Sequence, residues 1–391
     1  MTLRYGREIL AMPGPTNIPD SVLNAMHRPA IDIYSGPLLE VTERCHDGLR
    51  TLFGTHGHAF IYAANGHGAW EAALSNTLSA GDQILVLASG RFAVNWGATG
   101  ESMGLIVHTV ECDFRDAVSP ARVAARLRED TRHAIKAVLV VQVDTASGVV
   151  NDIPAIRAAI DSVAHPALLM VDTIASLGTM TFTMDEWGVD VAVCGAQKGL
   201  MTPPGLSFCA AGRRALSAHE TAGLCTRYWD WTFRRGEAHY HKYCGTPPEH
   251  MLFGLDEALR LLQQEGFDNA IRRHTLLAGA VRAALEVWSE GDALDFNVTE
   301  PAARANSVTT IRLAPPHEPA ALLAFCQDTC GVTLGLGIGG LPGFRIAHMG
   351  HINAPMILGT LGCVELGLKT LGIPHGHGGL QAAVEALATT L

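Results

Sequence analysis

The sequence predicts an α/β fold, with a large domain built on a mostly parallel, seven-stranded type of sheet and a smaller C-terminal α+β domain. From about residue 40, apolar runs of strand length alternate with helical patterns, which is typical of parallel strands connected by helices. The runs are apolar on both faces, as in a sheet that is covered on both sides. At 391 residues the chain is too long for one small core, so a second domain is expected.

The elements are expected in a regular order. An N-terminal arm ends in the turn "MPGPTNIPD", after which Thr16 or Asn17 is expected to cap a short helix. Strands of the large domain are expected at "AFIYAANG", "DQILVLAS", "IVHTVEC", "AIKAVLVVQVD", "ALLMVDT", "VDVAVCG" and "LSFCAAG". A long helical stretch, "PEHMLFGLDEALRLLQQEGFDNAIRRHTLLAGAVRAALEVW", then leads to short strands at "SVTTIRL", "VTLGLG" and "GFRIAHMG". We therefore predict an arm (1–20), a large domain (21–265) and a small domain (266–391).

Composition excludes several classes of protein. A net charge of −10 without a basic run argues against nucleic-acid binding. The apolar runs fall short of the roughly 20 residues that span a membrane, and the N-terminus lacks a signal-peptide core. Nine cysteines without a CxxC pair favour reduced thiols in the cytoplasm, and 41 glycines with low charge favour a homo-oligomer. His375 and His377 lie in a glycine-rich connection that we interpret as a solvated loop, so no metal site is expected.

Candidate functional residues follow several strands at once. In open α/β sheets such groups gather at the carboxyl ends of the strands. One of these turns leads from a strand through glycines into a helix, where exposed backbone N–H groups could hold a phosphate. The residues at these strand ends are Asn65, Gly66, His67, Phe92, Thr145, Asp172, Ile174, Gln197 and Lys198.

Lys198 and Asp172 have a specific use when they occur together. A lysine amine can form a Schiff base with an aldehyde cofactor, and an aspartate can hold the protonated ring nitrogen of pyridoxal phosphate. Phe92 and Ile174 would then pack on the two faces of the ring. Taken singly, Lys198 suits a surface loop, Asp172 suits a helix N-cap and Phe92 suits a core position. Their order at successive strand ends favours the cofactor site.

The chain also resembles a family, the class V pyridoxal-phosphate aminotransferases, and within it the alanine–, serine– and aspartate–glyoxylate branch. The motifs that carry the resemblance are "PGPTNIP", "NGHGAWEAAL", "SGVVNDI", "VDTIASLG" and "GAQKGLMTPPG", which run in the family's order between about residues 10 and 355. The resemblance implies the type I aminotransferase fold. It also implies a homodimer with active sites at the subunit interface, acting on small amino and keto acids.

The resemblance implies a role for each matching residue. Lys198 would bond the cofactor and move the proton, and Asp172 would pair with the ring nitrogen. The phosphate would be held by Gly66, His67 and Gln197, and the ring hydroxyl by Thr145. Asn65 stands where the family has a small hydroxyl residue. Tyr243 and Thr246 would reach the partner's cofactor, and the substrate would be bound by Arg345, by the backbone around Gly14, and by Tyr34 and Ser35 from the other subunit.

The expected activity is transamination of glyoxylate to glycine. The segment "CTRYWDWTFRRGEAHYHKYCG" concentrates the cations Arg227, Arg234, Arg235, His239, His241 and Lys242. Either it is a solvated basic loop, or one of these cations meets a negatively charged donor side chain, which would favour aspartate over serine or alanine. Other readings are a pyridoxamine–pyruvate aminotransferase and a non-catalytic protein that binds the cofactor. A desulfurase is not favoured, because no cysteine lies in an evident catalytic loop.

Overall fold

The computed structural model describes residues 2–390, and its centre is a seven-stranded sheet. Numbered along the chain, its strands are β2 (His58–Tyr62), β3 (Gln83–Ala88), β4 (Ile106–Glu111), β5 (Ile135–Val141), β8 (Leu168–Asp172), β9 (Val191–Gly195) and β10 (Ser207–Ala211). Their order across the sheet is β2-β10-β9-β8-β5-β3-β4. The pairs β8–β9, β5–β8, β3–β5 and β3–β4 are parallel, and β10 runs antiparallel to both of its neighbours. The predicted mostly parallel sheet is confirmed.

Helices cover the sheet and fill out the smaller domain. The α-helices are α1 (Asp20–Met26), α2 (Pro37–Phe53), α3 (Gly66–Ser75), α4 (Arg91–Ser102), α5 (Pro120–Glu129), α6 (Ile153–Ser162), α7 (Arg213–His219), α8 (Trp231–Arg234), α9 (Glu249–Glu265), α10 (Phe267–Ser289), α11 (Pro319–Phe325), α12 (Ala354–Thr370) and α13 (Gly379–Ala388). Short 3-10 helices span His239–Tyr243 and Pro301–Ala303, and a π-helical turn spans Cys326–Cys330. Among residues 2–390, none of these helices combines the length and apolar character needed to cross a membrane.

A second sheet of five strands forms the smaller domain. Its strands are β1 (Ile9–Ala11), β11 (Leu294–Phe296), β12 (Val308–Leu313), β13 (Val332–Leu336) and β14 (Gly343–Ala347), in the order β1-β13-β14-β12-β11. β1 comes from the predicted arm and pairs in parallel with β13. This long-range pairing was not predicted, because three residues carry too little pattern to indicate a strand. The predicted domain boundaries stay a prediction.

Two predicted elements are interrupted. The long helical stretch divides into α9 and α10 at Gly266, whose φ of +85° ends the first helix. The strand expected to run through to residue 144 ends at Val141, and a two-stranded hairpin of β6 (Val143–Asp144) and β7 (Val149–Val150) follows. This hairpin turns the chain across the carboxyl edge of the large sheet.

The predicted cap of the first helix was wrong. α1 begins at Asp20 after Pro19, and neither Thr16 nor Asn17 caps it. Asn17 instead pairs its side-chain amide with the backbone N–H and C=O of Leu10. Thr16 donates its hydroxyl to the carbonyl of Lys198 at 3.0 Å. Both side chains therefore tie the N-terminal segment to other parts of the fold.

Close packing of two turns makes Gly199 a sensitive position. A Cβ there would overlap the carbonyl oxygen of Leu177, in the turn that follows β8. Gly199→Ala is expected to lower the free energy of unfolding by about 1–3 kcal/mol, because one of the two turns must shift. Chemical denaturation measures this change. Gly279→Ala in α10 is the matched control, since a Cβ there meets no atom within 4 Å. An equal response of the two variants would contradict the packing argument.

Candidate active site

A cavity at the carboxyl edge of the large sheet collects most of the predicted site residues. Its volume is about 240 Å³, and the ends of β2, β5, β8 and β9 surround it. A larger groove of about 730 Å³ lies at the opposite edge, where it is lined by charges of both signs and by no predicted site residue. The predicted residues that line the smaller cavity are Asn65, Gly66, His67, Phe92, Thr145, Asp172, Ile174, Gln197 and Lys198.

Asp172 ends β8 with both carboxylate oxygens hydrogen-bonded. Oδ1 accepts the backbone N–H of Ile174 and Oδ2 accepts the indole N–H of Trp70, each at 2.7 Å. The side chain is fully enclosed, and this burial raises the pKa of the carboxyl to about 7. A carboxylate so placed is suited to pair with a buried cation such as a protonated ring nitrogen.

Lys198 lies in the turn after β9 and is only 9% exposed. Its Nζ donates to the carbonyl of Pro13, and a Cβ on Gly14 would overlap the amine. Glycine at position 14 therefore leaves the space that the lysine occupies. Burial, and after it the positive charge of Arg345, lowers the pKa of Lys198 to about 8, while Asp172 and Asp144 act in the opposite direction. A larger fraction of the amine is thus neutral near pH 7 than for an exposed lysine.

The first turn of α3 faces the same cavity. Asn65 caps the helix by accepting the backbone N–H of His67 at 3.1 Å, so this side-chain oxygen serves the helix. Gly66 allows a close approach, because a Cβ there would overlap Ile174. The side-chain Oε1 of Gln197 is buried without a hydrogen-bond partner within residues 2–390. That oxygen is an acceptor, so an anion such as a phosphate would be held by the helix N-terminus and by the Nε2 donors of the same side chain.

Asp144 fixes the position of Phe92 and was not given a role in the sequence analysis. Its buried carboxylate accepts the backbone N–H groups of Phe92, Ala93 and Ala146 at 2.7, 3.1 and 2.9 Å. These bonds hold the start of α4, and hence Phe92, against the turn that carries Thr145. The sequence does show an aspartate directly before a turn, but this pattern is equally typical of an ordinary loop residue.

Arg345 is buried on β14 of the smaller sheet. Its Nε donates to the carbonyl of Leu336 and its Nη1 to the carbonyl of Thr145, both at 2.8 Å. Nη2 makes no hydrogen bond to any residue from 2 to 390, and burial lowers the pKa of the guanidinium to about 10. The group is thus oriented by two carbonyls while one nitrogen stays available for a carboxylate.

Six predicted residues are not part of the cavity lining: Gly14 and Arg345, which lie against Lys198 and Thr145, and four others. Tyr34 and Ser35 are exposed, in a turn where the N–H of Tyr34 and the hydroxyl of Ser35 donate to Asp32. Tyr243 is buried in the large core, with its hydroxyl 2.9 Å from that of Thr42. Thr246 is exposed. Their roles at a partner's site stay predictions.

The residues that line the cavity fit pyridoxal phosphate. Lys198 supplies an amine for the aldehyde, Asp172 an anion for the ring nitrogen, and Gln197 with the first turn of α3 a set of donors for the phosphate. The close approach at Gly66 leaves room beside Ile174. Trp70, which contacts Asp172, was not singled out from the sequence because an apolar residue within a helix reads as core.

Comparison with known proteins agrees with this geometry. The family model for aminotransferase class-V matches residues 9–339. Serine–glyoxylate aminotransferase of Arabidopsis thaliana is 37% identical over 97% of this chain and 94% of its own length. L-Aspartate–glyoxylate aminotransferase of Paracoccus denitrificans is 35% identical over 96% of this chain and 94% of its own.

Solved structures give the same fold. The crystal structure of pyridoxamine–pyruvate aminotransferase from Mesorhizobium loti superposes with a TM-score of 0.90 at 25% identity, covering 100% of both chains. The type I aminotransferase fold expected from the sequence is therefore confirmed. With the family match and the site geometry together, the chain belongs to the class V aminotransferases and is a pyridoxal-phosphate-dependent enzyme.

Proposed function

We propose that this enzyme transfers an amino group to glyoxylate, forming glycine, and that aspartate is its amino donor. The observation that carries the proposal is that Lys198 and Asp172 line one small cavity, while Arg345 donates to the carbonyl of Thr145, which lines the same cavity. Relatives at 35–37% identity over almost the whole chain are named for glyoxylate as acceptor, and this supports the acceptor assignment. When bound, the cofactor supplies an electron sink for the charge left at the substrate α-carbon.

The chain's own residues divide the remaining work. Arg345 binds the α-carboxylate, since a planar guanidinium meets a carboxylate with parallel hydrogen bonds. Lys198 accepts and returns the α-carbon proton, for which a pKa of about 8 is well matched to neutral pH. Asp172 keeps a negative charge at the ring nitrogen. A cavity of about 240 Å³ has to hold both cofactor and substrate, which favours a two-carbon acceptor without a side chain.

The basic segment 227–242 is mostly structural. Arg234 is buried and donates to the carbonyls of Tyr228, Ile61 and Lys242. The amine of Lys242 lies 2.6 Å from Glu43. Two of the four arginine and lysine side chains in this segment are therefore already engaged within the chain.

The remaining members of the segment differ in position. His239 contacts Ile33 and Thr42 through its two ring nitrogens. Arg235 lies near His58, whose pKa is lowered by burial and by the positive charge of this arginine. His58 begins β2, at the end of the strand away from the cavity. Arg227 is exposed, with its guanidinium 4.0 Å from the centre of the Phe233 ring and without an acceptor in the described chain. His241 is half-buried and packs on Phe233 and Tyr240, so Arg227 is the cation of this segment that we assign to the donor's side-chain carboxylate.

Serine is the second candidate donor. It is supported by the names of relatives in Arabidopsis thaliana and Methylorubrum extorquens, which are 37% and 36% identical to this chain. Serine has no side-chain charge, so its use would not depend on Arg227. Donor identity therefore separates the two candidates by experiment.

We further propose a homodimer. Tyr34 and Thr246, which the family places at the partner's site, are exposed in the single chain, as are Leu3 at 69% and Tyr5 at 92%. Exposed aromatic and apolar groups of this kind are suited to a subunit interface. Sedimentation velocity should report two chains per particle, and a particle of one chain would contradict this proposal.

Donor choice tests the function. Holoenzyme mixed with aspartate, serine or alanine should lose its visible cofactor absorbance fastest with aspartate, followed by glycine formation on addition of glyoxylate. Arg227→Gln should slow the aspartate reaction about tenfold or more while leaving the serine reaction unchanged, since it removes one charged hydrogen bond. Arg235→Gln is the matched control and should change neither reaction.

Each alternative outcome has a definite meaning. A fastest reaction with serine, unaffected by Arg227→Gln, would replace aspartate by serine as donor. Failure of every donor to convert with glyoxylate as acceptor would overturn the glyoxylate assignment. If Arg227→Gln and Arg235→Gln change the rate with aspartate equally, Arg227 does not bind the donor and the whole segment 227–242 is structural.

The depressed pKa of Lys198 predicts a pH-dependent gain in stability on its removal. The amine has a pKa of about 8 in the folded chain and 10.5 in the unfolded chain, so the unfolded chain binds more protons. Burying Lys198 therefore lowers the free energy of unfolding, and this loss is complete below pH 8. Lys198→Met, freed of cofactor, is expected to exceed the wild type in unfolding free energy by about 1–3 kcal/mol at pH 7. Denaturation at pH 7 and 9.5 should show this gap narrowing as pH rises.

An exposed lysine provides the control. Lys136 lies on β5 with its side chain exposed, so Lys136→Met should show no gap that changes with pH. A Lys198→Met variant that is no more stable than the wild type at pH 7 would contradict the desolvation argument.

A further inference from the structure

One hydrogen bond in the active site is made by Trp70, a residue to which the sequence analysis gave no role. The indole Nε1 of Trp70 donates to Oδ2 of Asp172 at 2.7 Å, and both side chains are buried. The other oxygen of this carboxylate accepts the backbone N–H of Ile174 at 2.7 Å. One donor is therefore local to the strand end, and the other comes from a different helix.

That helix is α3, whose first turn faces the cavity through Gly66 and His67. Trp70 is the fifth residue of α3, about one turn further along its axis. The same rigid element thus presents donors to the phosphate position at its N-terminus and a donor to the carboxylate of β8. The spacing of Gly66 and Trp70 along α3 therefore fixes the distance between the helix N-terminus and the donor to Asp172.

We propose that Trp70 is a positioning residue whose indole N–H fixes the carboxylate of Asp172 in the orientation that meets the ring nitrogen of the cofactor. α3 thereby aligns the two ends of the cofactor site with one another. The proposal concerns how the cofactor is held, and it is independent of which amino acids the enzyme uses.

The charge of Asp172 depends on the same bond. Burial raises its pKa, while the N–H groups of Ile174 and Trp70 lower it by stabilising the carboxylate. Other groups that face it are Asp144, which favours the protonated form, and Lys198, which favours the ionised form. Cys194 on β9 is a thiol whose own pKa is raised by burial and by Asp172. Loss of the indole N–H should therefore favour protonation of Asp172, which would no longer attract a cation.

Space filling is the competing role for Trp70, and a neighbour allows the two roles to be separated. Trp96 is stacked against Trp70, with ring centres 6.0 Å apart and planes at 16°. Both are buried, with exposures of 0% for Trp96 and 1% for Trp70. The Nε1 of Trp96 has no hydrogen-bond partner among residues 2–390. Replacing either by phenylalanine removes a similar volume, but only at position 70 does Asp172 lose a donor.

The test is the affinity for pyridoxal phosphate of dialysed full-length enzyme, measured by absorbance titration from pH 6 to 9. Trp70→Phe is expected to raise the dissociation constant about tenfold or more, since one bond to a charged group is lost. As the solution is acidified, Trp70→Phe should begin to lose affinity for pyridoxal phosphate at a higher pH than the wild type does. Trp96→Phe should stay within about threefold of the wild type at every pH.

Two further variants complete the design. In an Asp172→Asn background, Trp70→Phe should have little additional effect on the dissociation constant, because Trp70 acts through Asp172. If Trp70→Phe fails to fold, benzothienylalanine at position 70 keeps the ring shape while replacing the N–H by sulfur. Equal losses in the Trp70 and Trp96 variants, or wild-type affinity and pH dependence without the indole N–H, would overturn the proposal.

Discussion

The structure depends on one carboxyl group that is buried and hydrogen-bonded inside the large domain. Asp172 is surrounded by apolar strands, and a carboxylate moved out of water is costly unless it is hydrogen-bonded. The fold meets that requirement with two N–H donors, one from the backbone of Ile174 and one from Trp70. The turn after β8 and the packing of α3 on the sheet are thus consequences of the same need. The cation of the cofactor would then meet a carboxyl group that is already oriented.

The buried amine of Lys198 complements this carboxylate at a cost in stability. The positions that surround it are small or offer only a carbonyl, as at Gly14 and Pro13. Burial and the positive charge of Arg345 lower its pKa, and Gly14 leaves the space that it occupies. A lysine stabilised by an ion pair would be held as a cation, which is the wrong form for accepting a proton. Reactivity and stability therefore oppose one another at this position.

The juxtaposition of Asp172 and Lys198 could be predicted from the sequence, because β8 and β9 are recognisable parallel strands whose carboxyl ends share one edge. Phe92 and Thr145 could be placed there for the same reason. The roles of Trp70 and Asp144 could not, since each depends on a side-chain contact between distant elements whose relative rotation no local pattern specifies. The pairing of β1 with β13 was equally hidden, because it joins the N-terminal residues to a strand more than 300 positions later.

The residues proposed to bind the cofactor lie on the large sheet and Arg345, proposed to bind the substrate, on the smaller one, and the β6–β7 hairpin connects the two sheets. Its turn carries Thr145, whose carbonyl accepts Arg345 from the smaller sheet, and Ser147, whose carbonyl accepts the hydroxyl of Thr310. A shift of the smaller domain would therefore move the guanidinium relative to Lys198 through contacts made by one short turn. Under the proposed function, the position of the α-carboxylate can then change through the smaller sheet, while the residues of the larger sheet stay unchanged.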